Sequence, residues 1–152
     1  MAGRRPRRRS RGFSLVEVLV ALVVMAVGML GIAGLYIEGL RAGRTSVYRG
    51  AAVTLAGDMA DRIRANPGGS YAGSGPGADR GCVNGGGDCS ADDLAADDWF
   101  RWLGDLHRRL PAGATAVIEE QAGAPVRQVA ITLSWPEAGQ EAPVTYSLAL
   151  QL

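Results

Sequence analysis

The chain has 152 residues, with 22 glycines and 7 prolines, and its 16 basic residues are all arginine. Without lysine it forms no phosphate-loop lysine, Schiff base or lysine general base, and a single histidine, His107, leaves little for a histidine metal site or acid–base catalysis. The near-neutral formal charge of +1 hides a basic tip, with Arg4, Arg5, Arg7, Arg8, Arg9 and Arg11 in the first twelve residues, ahead of an acidic body. The length fits one domain, and the composition is not that of an enzyme. A block of like charge reads as a tail. The body offers no basic patch to continue it, so direct nucleic-acid binding is not expected.

Residues 18–37 carry only one kind of chemistry: twenty residues without a charge. As a helix they span about 30 Å, one bilayer core, and the arginines before them would stay cytoplasmic. A cleaved secretory signal has a shorter apolar core. A twin-arginine signal needs a register that Ser10 and Gly12 break. A plain anchor leaves Glu17 unexplained, because a carboxylate at the edge of an apolar run calls for a cationic partner. The next arginine on that helix is Arg41, too far away. A free amino terminus created just upstream of Glu17 would supply the charge.

The hexapeptide Gly12-Phe13-Ser14-Leu15-Val16-Glu17, behind a short arginine-rich leader, resembles the class III signal of type IV pilins and pseudopilins. The resemblance implies that a prepilin peptidase removes residues 1–12 by cutting after Gly12 and methylates the new terminus, Phe13. It also implies that Glu17 pairs with the terminal amine of a neighbouring subunit during assembly. A buried carboxylate met by a cation fixes register between subunits.

Beyond the apolar run, Leu40, Val47, Ala51, Leu55, Met59 and Ile63 recur mainly at four-residue spacing among charged residues, which predicts an amphipathic continuation of the helix. Asn66-Pro67-Gly68-Gly69 ends it, since proline disfavours helix at the residue before it. The expected helix covers residues 13–66, with 13–37 as membrane span and filament core. Gly28, Gly31 and Gly34 allow either close helix approach or a flexible point.

Residues 67–90 read as a glycine-rich loop. It lacks a lysine and a preceding strand, and Ala78 stands where a dinucleotide fingerprint needs its third glycine. Cys82 and Cys89 lie in it without histidine neighbours, a poor zinc set; with the head outside the inner membrane, a disulfide is favoured. Ser90 and Asp93 read as a capping box opening a second helix, whose buried face is Ala95, Trp99, Trp102, Leu103, Leu106 and Leu110, closed by Pro111. Asp92, Asp93, Asp97 and Asp98 read as helix-start and solvated charge rather than a calcium loop. His107 falls on the polar side.

Alternation at Val129, Ile131, Leu133 and Trp135, and at Val144, Tyr146, Leu148, Leu150 and Leu152, predicts two strands, with 115–119 a third. An antiparallel meander laid on the long helix gives an α+β class, the pilin-like arrangement, with residues 67–152 as a periplasmic head. The stretch Leu55-Ala56-Gly57-Asp58-Met59-Ala60-Asp61-Arg62-Ile63-Arg64-Ala65-Asn66, the Leu110-Pro111 helix end and the Trp135-Pro136 strand end resemble minor pilins of the pilus-modification group. That resemblance implies a low-abundance structural subunit whose partners are the prepilin peptidase, the inner membrane, other minor pilins and the major pilin. It further implies a single membrane pass, then residence in the surface fibre, with twitching, adhesion or DNA uptake following at the level of the organelle. No cofactor and no metal is expected. A minor pseudopilin of a type II secretion system is the alternative.

Overall fold

The computed structural model describes residues 12–84, 88–121 and 126–152. The arginine-rich leader through Arg11, and Gly85, Gly86 and Gly87 of the expected loop, lie outside the described residues. The chain divides into two units, Met1–Ala42 and Gly43–Leu152.

Helix α1 runs over Leu15–Ala65. Its first portion holds an 18-residue window of mean hydropathy 2.7, none of it buried, and is long and apolar enough to cross a membrane. In the Gly43–Leu152 unit the same helix turns amphipathic, burying Ala52, Leu55, Ala56, Met59, Ala60 and Ile63. Small residues on this stripe let neighbouring elements approach closely. The stripe starts later than its spacing suggested. Val47 is 67% exposed and Leu40, in the other unit, 56%, while Tyr48 packs against the core instead. Asn66 ends the helix where Pro67 follows.

Helix α2 covers Ala91–Arg109. Ser90 caps it: its hydroxyl accepts from Asp93 N at 3.1 Å and donates to the Asp93 carboxylate at 2.6 Å. Ala95, Trp99, Trp102 and Leu106 face the core and Leu103 is half-buried, whereas His107 is exposed. The Trp99 and Trp102 rings meet edge to face, with centroids 5.5 Å apart and planes at 84°. A single 3₁₀ turn, Cys82–Asn84, precedes α2.

Three strands follow, β1 (Thr115–Gln121), β2 (Gln128–Trp135) and β3 (Val144–Gln151), in an antiparallel sheet ordered β1-β2-β3. Val129, Ile131, Leu133 and Trp135 of β2 are fully buried on the helix side, as the period-two pattern demands. Arg127 and Leu152 exchange both backbone hydrogen bonds, at 3.1 and 2.9 Å. Antiparallel pairs alternate, so Val144, Tyr146, Leu148 and Leu150 bond to β2 while Thr145, Ser147, Ala149 and Gln151 turn their N–H and C=O groups away from it. The opposite edge is closed differently: Gly73 and Ile118 exchange both backbone hydrogen bonds at 2.8 Å. The whole is the α+β, pilin-like arrangement.

Candidate processing and assembly site

Gly12, Phe13 and Ser14 precede the first helical turn. The Ser14 carbonyl accepts from Val18 N at 3.2 Å and its hydroxyl accepts from Val16 N at 3.3 Å, so serine stops the helix from extending backward over Gly12. The Gly12–Phe13 bond is consequently in exposed, non-helical chain. A Cβ built on Gly12 would meet nothing within 4 Å, and Phe13 is 82% exposed. The segment is exposed, uncrowded and outside the helix.

Glu17 lies in the first turn of α1, four residues beyond Phe13. Phe13, Glu17, Val18, Ala21, Leu22 and Met25 line one shallow groove. Among the described residues none is paired with the Glu17 carboxylate, and Arg41 bonds to Glu38 at 3.0 Å. A negative charge at a helix N-terminus is favourable. Inside an apolar environment it still needs a cation. Gly28, Gly31 and Gly34 open the surface farther along, each with nothing within 4 Å of an added Cβ.

The head is fastened by polar groups that the sequence pattern hid. Asp97 and Asp98 look like solvated helix-start charge, but both are buried, Asp97 completely. Asp97 accepts from Arg80 N at 2.8 Å, Gly81 N at 3.1 Å and Arg101 Nε at 2.7 Å. It thereby ties the 67–81 segment to α2. The Arg101 guanidinium holds its carboxyl below the usual carboxylate range, against the effect of burial. Asp98 accepts from Arg62 at 2.8 Å and from the Tyr71 hydroxyl at 2.7 Å, joining α1, α2 and the loop. Burial, and then Asp98, push the Tyr71 hydroxyl up, so it remains a donor. Asn66 donates to the Ala91 carbonyl at 2.7 Å and to Tyr71 at 3.2 Å. Trp99 Nε1 donates to the Tyr71 carbonyl and Trp102 Nε1 to that of Leu55, both at 2.9 Å. The only sequence signal was position: 97 and 98 both sit about one turn beyond Asp93 of the capping pair, just ahead of Trp99.

Residues 67–81 of the glycine-rich segment thus form a strap over α2. Gly77, at φ +72°, lies so close that an added Cβ would fall 2.4 Å from the Ala96 carbonyl and 2.5 Å from Phe100 N. Cys82 and Cys89 form a disulfide beyond it. Among the described residues no group of three or more His, Cys, Asp or Glu side chains is arranged to hold a metal ion.

Residues 7–33 match the family described as the prokaryotic N-terminal methylation motif. The match takes in Gly12, Phe13, Glu17 and most of the uncharged run. This motif is the signal of type IV pilins and pseudopilins, which are structural subunits processed by a prepilin peptidase and assembled with other pilins. It supports a pilin-like family for the chain, and with the exposed apolar helix it fits membrane anchoring. No curated protein and no solved structure matches the chain.

Proposed function

We propose that the chain is a minor pilin of a type IV pilus, most like PilV, the type IV pilus modification protein. The methylation-motif match at residues 7–33 supports the pilin-like class, and the 55–66 stretch supports the choice within it. On this reading residues 1–12 are removed after Gly12 and Phe13 is N-methylated. Residues 13–37 span the inner membrane once and later enter the filament core, and the 67–152 head stands in the periplasm and then on the cell surface. Glu17, next to the cut site in the same groove, takes the terminal amine of a neighbouring subunit. The subunit primes or caps the fibre with other minor pilins ahead of the major pilin, supporting twitching, adhesion or DNA uptake.

The test compares sheared surface pili and exoprotein secretion in cells lacking this chain. Lost pili with normal secretion are expected. Normal pili with failed secretion would reassign it to the type II pseudopilins. In the same cells the mature protein should begin at Phe13 and carry one added methyl group. A mass that retains residues 1–12 would overturn the processing assignment.

A further inference from the structure

Helix α2 carries two residues on its outer side that the packing of the head does not require. Phe100 is 47% exposed, a large apolar ring left half in water. Gly104 stands four residues on, within a 19-residue helix, where glycine is the costliest residue after proline. Nothing in the fold demands it, because an added Cβ would meet only Arg108 Nη1, at 3.6 Å. Residues four apart lie on one face of a helix. Both line an open cleft of about 680 Å³, within the usual range of ligand sites, about 300–1,000 Å³. Pro76 of the strap and Leu103 line it with them. The glycines on either side of Pro76 hold it in place. At φ +80° and +72°, Gly75 and Gly77 lie so close to α2 that an added Cβ would fall 2.4 Å from Leu103 Cδ1 and from the Ala96 carbonyl respectively. The cleft is therefore built before any ligand arrives.

The polar groups of the cleft restrict what can enter it. Arg62 is held by Asp58 at 3.0 Å and Asp98 at 2.8 Å, Arg101 by Asp97 at 2.7 Å and Asp79 at 3.6 Å, and Arg108 by Asp105. Three guanidiniums thus meet five carboxylates, which leaves no surplus positive charge to draw an anion. These pairs occupy Nε and Nη1 of Arg62 and Nε and Nη2 of Arg101. Among the described residues Arg62 Nη2 and Arg101 Nη1 donate to nothing, and both side chains line the cleft. A purely apolar ligand would bury those donors unmet. An extended peptide brings an N–H with nearly every C=O, so its donors would face donors. A hydroxyl turns its hydrogen aside and accepts, and the second oxygen of Asp105, which also lines the cleft, can take that hydrogen. We infer that the cleft between the strap and α2 binds a neutral sugar ring of a glycan. The C–H face of the ring lies on Phe100 and over Gly104, and its hydroxyls meet Arg62, Arg101 and Asp105. None of these observations depends on how the chain is processed or assembled.

The experiment applies the full chain, in detergent, to an array of neutral and acidic glycans, and measures the affinity of each bound glycan as the free oligosaccharide by calorimetry. At least one neutral glycan should bind, and acidic ones should bind no more tightly. Phe100→Ala should weaken that binding about tenfold, the loss expected from one aromatic contact. Gly104→Phe fills the cleft from its helix side and should abolish binding. Its melting midpoint should hold or rise, since a glycine leaves the helix interior. If Phe100→Ala unfolds the head, Gly104→Phe decides alone. Tighter binding of acidic than of neutral glycans, no glycan bound, or parental affinity in either folded variant would overturn the inference.

Discussion

Asp97 is a buried carboxylate with three donors, and its environment fixes the sign of its pH response. Its folded-state pKa is depressed below the ordinary 3.8, so its contribution is present above that value and lost as the pH falls through the depressed one. The melting midpoint of the head should be flat near neutrality and fall in acid. Asp97→Asn should lower the neutral midpoint and flatten that acid dependence; an unchanged acid limb would exclude Asp97 as its source. Gly77 makes a separate demand. A side chain there faces both a positive φ and backbone contact with α2, so Gly77→Ala should cost about 2 kcal/mol or more, measured by denaturant unfolding. Neither residue announced itself in the sequence. Asp97 matched the rule for charge near a helix start, and Gly77 was one glycine among many in a loop. What distinguishes them is the strap folding back on α2, a tertiary contact without periodicity.

At the scale of elements, the helices and strands were legible because each follows one periodicity cleanly. Trp99, Trp102 and Leu106 fall on one face of α2, and the odd positions 129–135 on one face of β2. The amphipathic half of α1 was legible in kind and in its later positions, Leu55, Met59 and Ile63, but not in where the stripe begins. Half of the buried stripe is alanine, which shows little contrast with the exposed Val47 in a pattern of hydrophobicity. The Cys82–Cys89 disulfide closes a short loop just beyond the strap, next to the Asp97 anchor at Gly81. Replacing both cysteines with serine should lower stability by about 2–3 kcal/mol in the chain-entropy account. An unchanged unfolding midpoint would show that the hydrogen bonds to Asp97 suffice to hold the strap.

For the whole molecule, the hexapeptide and the uncharged run made the methylation-motif signal readable, since a carboxylate at an apolar boundary is conspicuous against its surroundings. The role of Glu17 is a question about assembly, and Glu17→Ala separates it from anchoring. The variant should stay in the membrane fraction at normal amounts yet be absent from sheared filaments, as read by immunoblot; normal incorporation would contradict the pairing. The head offers its own signal for such work. Packed edge to face in the head core, Trp99 and Trp102 should give a near-ultraviolet circular-dichroism band, at wavelengths where the backbone of α1 does not absorb. Because both indoles belong to α2 and its seat on α1, that band reports closure of the head alone. Melting of the head can therefore be followed optically in the intact, lipid-embedded chain, while the long helix stays helical.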